Sequence, residues 1–123
     1  MLNWLMRLFG TSPRARKIID LEAHLDAVSG SPLHGDIEFE AYDDGYWELE
    51  IEIDHPSGPP AGPLDVKIGG EVVITLVPSN GHETEHKLVS GRDVIPLEPL
   101  AGMAVEVAGP DGQLLTGTLR ADH

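Results

Sequence analysis

The sequence predicts an all-β chain: an antiparallel β-sandwich of immunoglobulin-like kind, or a small barrel, of about seven or eight short strands. Three observations carry that expectation. From Ile19 onward, apolar and polar residues alternate with period two in one segment after another. Fourteen Gly and ten Pro in 123 residues break the chain at short intervals, which favours tight turns over long helices. A helical period occurs only in the first ten residues. A chain of this length builds one core, so one β domain is expected over residues 18–123, behind a basic amphipathic segment, residues 1–17.

The first element is "MLNWLMRLFG", with Leu2, Leu5, Met6 and Phe9 at helical spacing, Trp4 and Leu8 beside them, and Asn3 and Arg7 polar. Gly10 and "TSPRARK" end it. A helix of this length is about 14 Å long, under half the hydrocarbon thickness of a bilayer, so it can lie in an interface but not cross one. Isolated in water it is marginal and needs a surface to pack on. That surface is its own domain, a protein partner or larger assembly, or anionic lipid headgroups, which would suit Arg14, Arg16 and Lys17. Leu2, Trp4, Leu5, Met6, Arg7 and Phe9 are the candidate contact residues.

The strands follow in order. Ile19, Leu21, Ala23, Leu25 and Ala27 alternate with Asp20, Glu22, His24 and Asp26, which describes a strand with one wet face. After "SGSPLHG", Ile37, Phe39 and Ala41 alternate with Asp36, Glu38 and Glu40; on the return, Trp47, Leu49, Ile51 and Ile53 alternate with Glu48, Glu50, Glu52 and Asp54. A one-residue slip would turn the apolar set to solvent. A loop of Asp43, Asp44 and Gly45 keeps the faces separate, pairing Ala41 with Trp47, Phe39 with Leu49 and Ile37 with Ile51, with Gly at the left-handed position. The consequence is that Glu40 faces Glu48, Glu38 faces Glu50 and Asp36 faces Glu52. Like charges so placed oppose pairing, and burial of the other face has to outweigh them.

Beyond the Pro/Gly loop 56–63, "LDVKIGGEVVITLV" reads as a hairpin around Gly69-Gly70-Glu71, pairing Ile68 with Val72, Val66 with Ile74 and Leu64 with Leu76. "HETEHKLV" reads as a polar edge strand with His82, Thr84 and His86 facing solvent. The last hairpin is "MAVEVAGPDGQLLTGTL", turning at Gly109 to Gly112.

Over residues 19–53 the run "IDLEAHLDAVSGSPLHGDIEFEAYDDGYWELEIEI" resembles the opening of the chordin-type (CHRD) domain, which reads as an alternating strand, a Gly/Pro turn, a Gly-led strand and a strand ending near a small loop. The family's His-x-His stretch is absent, since "LDVKI" follows the loop at 56–63. The resemblance therefore implies an all-β domain and carries over no metal or ligand role.

Charge narrows the function classes. The net charge is −13, yet residues 1–17 hold four bases and no acid, so the body is more acidic still. Such a body is repelled by phosphate backbones, which argues against nucleic-acid binding. There is no cysteine, hence no disulfide, thiolate metal site or thiol nucleophile. No run of 18 apolar residues occurs, and the start lacks the order of a secretion signal. The expected location is cytoplasmic, with peripheral contact at the inner membrane surface. No nucleophile elbow, phosphate-cradling loop or HExxH helix is present, and paired carboxylates on an exposed strand lack the apolar pocket that acid–base catalysis uses. No enzyme activity, cofactor or dedicated metal site is expected.

Two features of the acidic hairpin remain. Tyr42 and Tyr46 flank its turn, either as a cross-strand pair that stiffens it or as a recognition tip for a partner. The six carboxylates offer a face for a basic protein or, alternatively, for Ca²⁺ or a small ligand. The functional expectation is a non-catalytic interaction module, held by its N-terminal helix to a membrane surface or a larger protein assembly.

Overall fold

The computed structural model describes residues 15–122. These form nine antiparallel strands: β1 (Lys17–Ala27), β2 (His34–Tyr42), β3 (Trp47–Asp54), β4 (Leu64–Ile68), β5 (Glu71–Leu76), β6 (Glu83–Val89), β7 (Ala104–Gly109), β8 (Gly112–Thr118) and the two-residue β9 (Arg120–Ala121). They run in the order β5-β4-β7-β8-β1-β2-β3-β6, with β9 on β1, and the eight main strands curl into a nearly closed barrel whose edges are β5 and β6. There is no helix among the described residues. The expected N-terminal helix over residues 1–10 lies outside them.

The choice between sandwich and barrel turns on one corner. Two four-stranded halves are joined where β1 meets β8, through the pairs Asp26 with Thr116 and Ala27 with Leu115. At Gly117 a side-chain Cβ would stand 2.2 Å from the His24 carbonyl oxygen and 2.8 Å from Leu25 Cδ2, so glycine lets the two strands come together there. β9 then pairs Leu21 with Ala121 and Glu22 with Arg120, extending the seam.

Strands β1 to β4 and β7 bury alternate residues inside the barrel. Leu21, Ala23 and Leu25 of β1 meet Phe39, Ile37 and Gly35 of β2, and Leu49, Ile51 and Ile53 continue the layer on β3. Leu64, Val66, Ile68, Val105, Val107 and Leu115 close it from the other half. The β2–β3 hairpin has the expected register, with Ala41 opposite Trp47 and Gly45 at φ 92°.

Two expectations are corrected. The β4–β5 turn has two residues, not three: Gly69 (φ 59°) and Gly70 (φ 86°) form it, and Ile68 pairs Glu71. Successive positive φ values at two glycines match the strand twist better than a three-residue loop does. A bulge absorbs the extra residue, so Val66 still pairs Ile74 and Leu64 still pairs Leu76, while Val73 turns into the core. Second, β6 is an edge strand with His86 exposed, but Thr84 is buried. Its hydroxyl lies 2.8 Å from Nε2 of His55, itself 1% exposed, and accepts the Ser79 N–H at 2.9 Å. His55, just after β3, and Ser79, ahead of β6, contact Thr84 at that position.

Candidate functional site

The outer face of β1-β2-β3-β6 collects what the strand pattern of the acidic hairpin began. Register places four cross-strand rows side by side: Asp20-Glu40-Glu48-Val89, Glu22-Glu38-Glu50-Lys87, His24-Asp36-Glu52-Glu85, and Asp26-His34-Asp54-Glu83. All these positions carry a carboxylate except Val89, Lys87, His24 and His34. The three expected like-charge pairs of β2 and β3 are present, and each is lengthened by β1 and β6 into a row.

The cations that meet this face stand at its borders. Lys17 Nζ bonds Glu40 and lies 3.5 Å from Asp20 Oδ2, which raises the Lys17 pKa, chiefly through the hydrogen bond to Glu40. Lys87 Nζ lies 3.9 Å from Glu48 and 3.8 Å from Glu50. His24 contacts Asp36 through Nδ1 and Glu22 at 3.7 Å; His34 lies 2.9 Å from Asp54. The His34 pKa is raised, first by its Nδ1 contact with the Pro32 carbonyl and then by Asp54 and Asp36.

Between these borders the carboxyl groups crowd one another and raise one another's pKa. Glu22 is raised in pKa by a hydrogen bond to the Asp122 carboxyl, and by burial. Burial raises Glu38, with the charges of Glu40, Asp20 and Glu22 adding to it. Glu52 is raised by burial and by Glu85, while Glu83 is raised by its hydrogen bond to Glu85 and by Glu52. Every one of these shifts favours the neutral acid, as expected where like charges crowd a partly dehydrated surface.

Three sets of side chains bring ligand atoms within 4.8 Å of one another: Glu22, His24 and Asp36; Asp20, Glu38 and Asp122; and Glu52, Asp54 and Glu83. These are the residues able to hold a cation. They lie on neighbouring strands of an open face, whereas a calcium site wraps six to eight oxygens around the ion.

The candidate contact residues divide. Leu2, Trp4, Leu5, Met6, Arg7 and Phe9 fall outside the described residues. Tyr42 and Tyr46 are brought together, with ring centroids 5.8 Å apart. Tyr46 is 5% exposed, its amide bonded to Asp44 Oδ1 and its hydroxyl donating to Glu48 Oε2 at 3.1 Å. The pair thus has the geometry of a hairpin stiffener, and Tyr42, half-buried, is the more accessible ring.

Sequence reasoning about the hairpin left out Asp20, Asp54, Glu83, Glu85 and Asp122. The alternation of Glu83 and Glu85 in "HETEHKLV" was a usable signal, but nothing in the sequence said that β3 is its neighbour. Comparison of the chain with protein-family models, curated proteins and solved structures gives no match.

Proposed function

We propose that the protein is a non-catalytic interaction module whose acidic four-strand face binds a basic protein surface, with residues 1–10 attaching it to a membrane surface or a larger assembly. The observation that supports this is the set of four carboxylate rows, whose mutual repulsion Lys17, Lys87, His24 and His34 offset only in part and a cationic partner would relieve further. Binding of that kind raises the on-rate and weakens as salt rises. Among the described residues no apolar pocket encloses any of these carboxyls in the way acid–base catalysis requires. Within those residues, too, no helix is long and apolar enough to cross a membrane.

The test is titration of the isotope-labelled protein with a lysine-rich peptide. Amide shifts are expected at Glu22, Glu38, Glu50 and Glu52, fading with added salt and weakened by Glu38→Gln with Glu50→Gln. Equal shifts over the whole surface, or none at low salt, would refute the reading. Attachment is tested by sedimenting the full chain with anionic and neutral vesicles and with native membranes. If it pellets with none of these, the attachment role is wrong.

A second reading has its own observation, the three cation-ready sets on the same face. Here the face takes Ca²⁺, and millimolar Ca²⁺ raises the melting temperature of the parent chain but not of the Asp36→Asn, Glu38→Gln, Glu52→Gln variant, which removes one ligand from each set. No shift in the parent chain removes this reading.

A further inference from the structure

The end of the barrel where β1 begins and the β2–β3 turn sits is open and apolar. The inner-face row Ile19, Ala41 and Trp47 forms one wall with Phe39 beside it, and the segment 93–99 forms the other through Val94, Ile95 and Leu97. The groove between them has a volume of about 390 Å³, in the range of sites that accept large apolar groups. Val94 is 90% exposed on its rim. Trp47 and Phe39, with ring centroids 6.2 Å apart, give it an aromatic floor.

The chain enters the fold at this same end. Arg16 donates its N–H to Asp43 Oδ1 at 3.0 Å and accepts the Asp43 N–H at 2.9 Å, which fixes its backbone beside the β2–β3 turn. Ile19, a groove residue, lies three positions later, about 10 Å along the strand. Upstream, beyond residues 11–15, stand residues 1–10, with an apolar stripe of Leu2, Leu5, Met6 and Phe9 and a single charged side chain, Arg7. Two carboxylates line the groove: Asp93, held by Arg92 Nε at 2.9 Å and by the Val89 N–H at 2.9 Å, and Glu98.

We propose that the groove is the seat of the chain's own residues 1–10, which place apolar side chains against Trp47, Ile95 and Leu97 with Arg7 toward Glu98. Three features select this occupant. Its apolar stripe matches the walls, and its one charged side chain is opposite in sign to Glu98. Its connection, residues 11–16, spans at most about 20 Å, so the segment stays near the groove at an effective concentration that a second molecule reaches only in the millimolar range. The seat is separate from the acidic face, and attachment elsewhere would require the segment to leave it.

The absence of cysteine permits a clean test. A nitroxide is placed on Asn3→Cys in the otherwise complete chain, and methyl signals are compared with the label oxidised and reduced. Broadening is expected at Ile19, Ile95 and Leu97 and not at Ile53, at the other end of β3. It should persist on dilution and disappear when Leu5→Asp and Phe9→Asp are added, changes that leave the sequence of the barrel itself unaltered. Uniformly weak broadening overturns the proposal, as does broadening that survives the two Asp substitutions. Mixing nitroxide-bearing chain with isotope-labelled chain that carries no nitroxide separates the remaining case: broadening there means that a second copy fills the groove, which also overturns it. Vesicle sedimentation reads attachment independently, so failure of either idea is recognised without the other.

Discussion

Replacing Glu38 by Gln should stabilise this protein. Glu38 stands at the centre of the acidic face, directly opposite Glu22 on β1 and Glu50 on β3, and its pKa is raised by burial and by Glu40, Asp20 and Glu22. A like-charged pair placed directly across strands costs up to about 1 kcal/mol. Two such pairs are removed at once, and Lys87, 3.8 Å from Glu50, already offsets part of one. The expected gain is about 0.5–1.5 kcal/mol at low salt, or about 2–6 °C in melting temperature for a domain of this size. The amide keeps the shape of the carboxylate, so packing changes little. Thermal and urea unfolding of Glu38→Gln at pH 7 would measure the gain, with Glu71→Gln, an exposed acid on β5 outside the four rows, as the control. In about 1 M salt, where the screening length falls to about 3 Å, the advantage should shrink toward zero. A lower melting temperature at low salt, or a gain that salt does not touch, would show that repulsion across these rows is not what the fold tolerates. The same substitution should weaken binding of a lysine-rich peptide, so stability and binding move in opposite directions.

Three other outcomes follow from the same geometry. Glu22, Glu38, Glu52 and His34 have pKa values raised by folding, so the native state holds more protons than the unfolded chain just above their ordinary values. Their stabilising contribution is complete below those values and is lost as pH rises through the folded ones, so the melting temperature should rise from pH 7 to about pH 5; a fall over that interval refutes the assignment. Asp93 opposes this, since the Val89 N–H lowers its pKa, but its contribution is lost only as pH falls through that lowered value. Thr84→Val should cost about 1–3 kcal/mol in urea unfolding, because the Ser79 N–H and the His55 ring both lose a buried partner. Gly117→Ala should cost about 1–3 kcal/mol or more, since its Cβ would collide with the His24 carbonyl, whereas Gly81→Ala, whose Cβ would meet only Ser79 Oγ at an ordinary 3.9 Å, should be near neutral.

The β2–β3 hairpin was legible down to its register because three signals agreed there. The period-two pattern separated two faces, a slip would have exposed the apolar one, and Gly45 marked the position of positive φ. The β4–β5 hairpin was less legible, since its apolar run "EVVITLV" has no strict alternation and a bulge can slide Val73 inward without changing the pairs at Val66 and Leu64. Thr84 was misplaced for another reason. Its strand is polar on both sides, and burial came from the chain leaving β3, whose His55 lies 29 residues away in sequence.

By itself, then, the sequence determined the strands, the apolar face of most of them and the like-charge pairs of one hairpin, because alternation and turn chemistry act over a few neighbouring residues. Only tertiary structure decided that β1 and β6 flank that hairpin and extend its three acidic pairs into four-strand rows, and that the β1–β8 corner closes the two halves toward a barrel. It likewise brought the wall at Ile19, Ala41 and Trp47 together with residues 93–99. Those choices depend on which strands lie side by side, and strand order is set by burial of one shared core, a property of the whole chain that no local pattern encodes.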